Sequence, residues 1–172
     1  MHVNWEGILP FQGEVLVIED DPTLRSLMVE IVEEMGAKVS AFDSADVAIT
    51  HLLRANDQCC LVIVDHGVLG QIQGIEFIEM VSSRWPGIKA ILTSGYLIGP
   101  EAVPAAAIYL LKPWSLDDLV IAVTSLLQPD SPIQGGFNRS SQHLDRGVYG
   151  TTRRMDAKID GPGSDAFSTL TS

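Results

Sequence analysis

Three short apolar runs each end on charged residues, and this pattern restricts the chain more than any other feature. Val15-Leu16-Val17-Ile18 runs into Glu19-Asp20, Leu61-Val62-Ile63-Val64 into Asp65, and Ile108-Tyr109-Leu110-Leu111 into Lys112-Pro113. Short runs of this kind, bounded by turn formers, read as buried strands of a parallel sheet. In an open parallel sheet, ligands sit just outside the carboxyl ends of the strands. Three strands therefore deliver Glu19, Asp20, Asp65 and Lys112 to one edge. Such an edge suits a divalent cation and a phosphoryl group.

Helical signals fill the intervals. Asp21-Pro22 opens a helix, with Asp as cap and Pro at its first position. Leu24, Leu27, Met28, Ile31, Val32 and Met35 form its apolar stripe, and Gly36 ends it. Lys38–Phe42 reads as a peripheral strand. Ser44 caps a second helix carrying Val47, Ile49, Leu52 and Leu53, and Cys59–Val64 is the central strand. Gly74 opens a third helix with Ile75, Phe77, Ile78 and Val81. Ile88–Thr93 is a fourth strand and Ile108–Leu111 a fifth. Ser115 caps the last helix, with Asp118 placed for a capping box. Between the fourth and fifth strands, Pro100 and Pro104 limit any helix to one or two turns starting near Pro100. The expected fold is α/β, a doubly wound sheet of five parallel strands.

Residues 1–13 read as an N-terminal extension, 14–128 as the folded domain and 129–172 as a disordered polar tail. Residues 1–128 hold 17 Asp and Glu against 6 Lys and Arg, whereas 129–172 hold 5 of each. A folded part this acidic lacks the basic footprint of nucleic-acid binding and is unsuited to an anionic membrane surface. Adjacent Cys59 and Cys60 read as small core residues in a reducing compartment. The first residues show neither a cationic region nor an apolar stretch of a signal peptide, and no run nears a membrane span. A cytoplasmic location is expected.

Each charged residue has an ordinary explanation alone. An acid pair after a strand caps a helix, a lone Asp makes a turn, Ser94 in Thr-Ser-Gly-Tyr is a loop residue, and Lys112 is solvated. Their convergence on one sheet edge weakens these explanations. Clustered carboxylates repel unless a cation offsets them, and Mg²⁺ prefers hard oxygen ligands.

Residues 14–128 resemble a response-regulator receiver domain of the CheY-like kind. The resemblance rests on Val-Leu-Val-Ile-Glu19-Asp20-Asp-Pro, Leu-Val-Ile-Val-Asp65, Gly74-Ile-Glu-Phe, Ile-Leu-Thr-Ser94-Gly-Tyr and Tyr109-Leu-Leu-Lys112-Pro113, in that order. It implies a flavodoxin-like (βα)5 fold with a shortened fourth helix. It also implies a two-component phosphorelay, with Asp65 accepting a phosphoryl group from a sensor histidine kinase or a histidine phosphotransfer protein. Glu19, Asp20, Asp65 and the backbone carbonyl of Gly67 would hold Mg²⁺. Ser94 and Lys112 would contact the phosphoryl group, and Tyr109 would turn inward as Ser94 moves. Lys112-Pro113 would be cis. Such a domain assists its own phosphorylation and dephosphorylation and is not an enzyme acting on a separate substrate. A stand-alone receiver would act on a downstream protein partner or as a homodimer, without DNA-binding output.

Some residues depart from the family pattern. Glu19 stands where Asp is common, Leu69 where Pro is usual, and Ser94 where Thr is commoner. The loop before Gly74 is one residue longer than the commonest form, as in receivers of hybrid histidine kinases. Gly67 offers no side chain to shield or steer an attacking water. His66 reads as an exposed loop residue. A phosphorylation-independent interaction module on the same fold is the alternative function. A haloacid-dehalogenase-like phosphohydrolase would need a second Asp at the position of Gly67.

Overall fold

The computed structural model describes residues 11–54 and 58–130. The expected tail beyond residue 130 and the first ten residues of the extension lie outside the described residues. Nine elements follow in chain order: β1 (Glu14–Ile18), α1 (Pro22–Glu34), β2 (Lys38–Phe42), α2 (Ala45–Arg54), β3 (Cys59–Asp65), α3 (Gly74–Arg84), β4 (Lys89–Ser94), β5 (Ala107–Leu111) and α4 (Leu116–Leu127). The strands form one sheet in the order β2-β1-β3-β4-β5, and every pairing is parallel.

Alternating side chains of the central strands feed two cores, as a sheet covered on both faces requires. Val15, Val17, Leu61, Ile63 and Ile91 meet Met28, Ile31 and Val32 of α1 and Leu119, Val120 and Val123 of α4. Leu16, Ile18, Val62, Val64 and Leu92 meet Ala45, Ala48 and Leu52 of α2 and Phe77, Ile78 and Val81 of α3. Phe11, placed in the extension by its sequence, packs against the first of these cores. β2 lies at the sheet edge, as its weaker pattern indicated.

The helix starts follow their caps. Asp21 Oδ1 accepts the Leu24 N–H at 2.8 Å, and Ser115 and Asp118 complete a reciprocal capping box. Burial pushes the Cys59 thiol up to about 12, so it stays protonated and packs as a small apolar group.

One expectation fails. No helix forms between β4 and β5; residues 95–106 run through turns closed by Ala102 N–H to Gly99 O and Ala107 N–H to Pro104 O, both 2.9 Å. Pro104 has no N–H to return to the Pro100 carbonyl, the first bond of a helix begun at Pro100, and the segment closes through turns instead. Ile98 and Val103 from this segment pack against the α2–α3 core in place of a helix.

At the opposite, amino end of the sheet, Glu14 is only 3% exposed. Burial alone would raise its pKa, but hydrogen bonds from Ser40 and His51, with the charge of Lys38 nearby, hold it below the ordinary carboxylate value. A depressed folded pKa contributes stability above the unfolded value, and that stability is lost as pH falls through the folded one. Glu14→Gln should therefore cost about 1.5–3 kcal/mol near neutrality, the range of a hydrogen bond to a charged group. The gap to the parent chain should close as pH drops below the 4.5 of a free glutamate. Thermal midpoints measured from pH 7 to pH 3 check this, and a gap that widens on acidification contradicts it.

Candidate functional site

The carboxyl ends of β1, β3 and β5 meet as the sequence indicated. Ligand oxygens of Glu19, Asp20 and Asp65 all lie within 4.8 Å of one another. Glu19 is 1% exposed and Asp65 6%. Lys112 Nζ reaches between them, 2.7 Å from Glu19 Oε2 and 3.0 Å from Asp65 Oδ1. This one ammonium faces two nearly buried carboxylates.

The charges respond accordingly. Burial pushes the Glu19 carboxyl above the ordinary value and nearby Asp65 adds to the shift, while the Lys112 contact pulls it back. Burial would lower the pKa of Lys112, but Glu19 and Asp65 together hold it above the usual lysine value, so the ammonium stays charged. With Asp20 added, the site is short of positive charge. Its donors are hard carboxylate oxygens, the chemistry that suits Mg²⁺.

The backbone holds the acids in place. The Asp21 N–H reaches Glu19 Oε1 at 3.3 Å, and Arg25 Nη1 donates to the carbonyl oxygens of Glu19 at 2.6 Å and Asp20 at 3.3 Å. Asp65 Oδ2 accepts the Gly67 N–H at 3.1 Å, and Oδ1 lies 3.4 Å from Thr93 Oγ1. Behind Asp65, the start of α3 presses against β3. A Cβ on Gly74 would stand 2.6 Å from the Asp65 carbonyl oxygen, so only glycine permits this approach. Arg25 and Thr93 were not singled out in the sequence. Arg25 lies one helical turn beyond the acid pair, a spacing that could have suggested a tether.

Ser94 and Tyr109 are joined through Tyr96. Ser94 Oγ donates to the Tyr96 carbonyl at 2.8 Å and accepts the Tyr96 N–H at 3.1 Å. Tyr109 Oη donates to the same Tyr96 carbonyl at 2.9 Å. Both hydroxyls thus share one acceptor in the β4–β5 segment. Lys112-Pro113 is cis. His66 is not the exposed residue its position suggested. It is partly buried, its ring lies edge-on to Tyr96 at 5.8 Å, and its Nδ1 is buried without a hydrogen-bond partner among the described residues.

Comparison with known proteins agrees with this geometry. The family model described as the response regulator receiver domain matches residues 15–124. The hydrogenase transcriptional regulatory protein HoxA of Cupriavidus necator is 31% identical over 153 residues, covering 86% of this chain and 31% of that protein. The response regulator receiver protein CpdR of Brucella abortus is 28% identical over 117 residues, covering 66% of this chain and 95% of that protein. The chain spans between 24% and 31% of the length of HoxA, FleR of Pseudomonas aeruginosa and NtrX of Azorhizobium caulinodans. Among solved structures, a CheY-like receiver protein of Methanospirillum hungatei superposes with a TM-score of 0.60 at 23% identity, covering 69% of this chain and 95% of that one. Among the described residues, no helix is long and apolar enough to cross a membrane.

Proposed function

The chain belongs to the response regulator receiver domain family, a signalling domain of two-component systems, and from that membership we propose that it is a phosphorylation-dependent switch with Asp65 as acceptor. The observation that carries the proposal is the group Glu19, Asp20, Asp65 and Lys112, with one ammonium bridging two nearly buried carboxylates. The donor would be a histidine kinase or a histidine phosphotransfer protein. A carboxylate oxygen of Asp65 forms a bond to phosphorus as the P–N bond of phosphohistidine breaks and the imidazole leaves with the electron pair.

Glu19, Asp20, Asp65 and the Gly67 carbonyl would hold Mg²⁺, which when bound supplies positive charge against that developing on the phosphoryl oxygens. Lys112, held in its charged form, would pair with the same oxygens. Gly67 N–H and Thr93 orient Asp65. Ser94 would leave the Tyr96 carbonyl for a phosphoryl oxygen. That carbonyl would then be left to Tyr109, which links the site to the β5 edge. Output would pass through a protein partner or a homodimer in the cytoplasm. The acidity of residues 1–128 supports protein contact over direct contact of this domain with nucleic acid.

The test is incubation with a small-molecule phosphodonor and Mg²⁺, read by intact mass. A gain of one phosphoryl group is expected, and a chelator should prevent it. A chain that stays unmodified would leave the phosphorylation-independent interaction module standing.

A second outcome concerns stability. Replacing one of three crowded carboxylates relieves repulsion in the metal-free fold and removes a metal ligand. Asp20→Asn should raise the metal-free thermal midpoint by about 2–4 °C, the effect of roughly 1 kcal/mol. It should also erase the further rise that MgCl₂ gives the parent chain. A variant that is destabilised without metal, or still stabilised by it, contradicts the assignment.

A further inference from the structure

Another acid lies outside the group just described but holds the loop that leads from it. Asp46 stands in the first turn of α2, and its Oδ2 accepts the Gln71 N–H at 3.0 Å and the Ile72 N–H at 3.4 Å. Beside it, Ser44 forms an isolated parallel bridge to Leu69. Gly70 passes directly against the carboxylate at φ +110°, and a Cβ there would stand 2.1 Å from Asp46 Oδ2. The positive φ strains any other residue there, and an added Cβ would have to displace the Asp46 carboxylate.

The loop between β3 and α3 is thus held at two places. Near the site, Gly67 N–H meets Asp65 Oδ2 and Gly74 N–H meets the His66 carbonyl at 3.3 Å. At its tip, the described backbone contacts all go to the start of α2. Two N–H groups aimed at one carboxylate oxygen form a charge-assisted clasp, stronger than a neutral pair. Gly67, whose carbonyl is the proposed metal ligand, belongs to the first anchor and stands two residues before Leu69, where the second begins.

We propose that Asp46 is a positioning residue: by clasping the tip of the 67–73 loop it fixes the Gly67 carbonyl and so sets the affinity for the divalent cation. The inference rests on the Mg²⁺ reading given under Proposed function. Through this clasp, α2 becomes mechanically part of the site.

The experiment is calorimetric titration of the full chain with MgCl₂, without any phosphodonor, alongside metal-free thermal midpoints. Asp46→Ala should weaken Mg²⁺ binding about tenfold, the usual order for losing a group that orients a ligand. Asp46→Asn keeps an oxygen acceptor and should recover most of the affinity. Gly70→Ala pushes a methyl group into the carboxylate and should reproduce the loss from the other side, with Asp46 intact. Unchanged affinity in both Asp46→Ala and Gly70→Ala overturns the clasp, as does a lowered midpoint with unchanged affinity, which is the mark of a purely structural role. If the parent chain itself binds no Mg²⁺, the metal reading falls and this inference with it. Binding by the parent and by Asp46→Ala alike removes only the inference.

Discussion

Asp65→Asn should abolish covalent phosphorylation while leaving the fold intact, and the parent chain's gain of one phosphoryl group should vanish in its intact mass. The substitution is nearly isosteric. The amide oxygen can still accept from Gly67 N–H, which donates to Oδ2 at 3.1 Å, while the amide NH2 takes the place of Oδ1 and can donate to Thr93 Oγ1. What it loses is the anionic oxygen that attacks phosphorus. It also loses the charge facing Lys112 Nζ at 3.0 Å. Lys112 keeps Glu19 at 2.7 Å, so the ammonium is not stranded. Removing one of the crowded anions should offset part of the lost pairing, and the thermal midpoint should move by no more than a few degrees, about 1 kcal/mol. Loss of modification with a native circular dichroism spectrum is therefore the expected pair of results. Undiminished phosphorylation of the Asn variant would move the acceptor to another residue. A collapsed fold would mean that Asp65 is primarily a structural partner of Lys112.

The sheet was legible because its central strands are buried on both faces. Leu61–Val64 and Val15–Ile18 had to be apolar at every position, since odd and even side chains enter different cores. The caps were legible because Asp21, Ser115 and Asp118 act within three residues of themselves. The acids and Lys112 were legible because strand ends in a parallel sheet converge by topology. The β4–β5 segment was misjudged because the prolines limited a helix without excluding one. Whether Ile98 and Val103 could cover the core from turns is a matter of packing, not of local preference. Thr93 and Asp46 were overlooked for a related reason. Thr93 reaches Asp65 across 28 residues and Asp46 reaches Gln71 across 25, and nothing local marks either one. The lengthened loop was visible in the sequence, but the carboxylate that holds it was not.

Phe77→Ala should be the most damaging single substitution in the core, costing about 3–5 kcal/mol. Phe77 is fully buried and heads the fully buried side chains by volume. It lies one turn into α3, in the core that also holds Ile18, Val64 and Leu92. Truncation removes its transfer energy and leaves a cavity between α3 and the sheet, whose strands cannot close it without losing register. At about 2–4 °C per kcal/mol, the midpoint should fall by about 6–20 °C. Phe77→Leu keeps much of the volume and should cost far less, about 1–1.5 kcal/mol. The site should feel the change as well. Gly74, three residues earlier on α3, packs against the Asp65 carbonyl, so a helix that shifts into the cavity takes the loop behind the acceptor with it. Chemical denaturation of both variants checks the energies. A cost below 1.5 kcal/mol for Phe77→Ala would mean that α3 can settle onto the sheet without its largest anchor, and the close approach of Gly74 to β3 would then have to be held by the loop and not by the core.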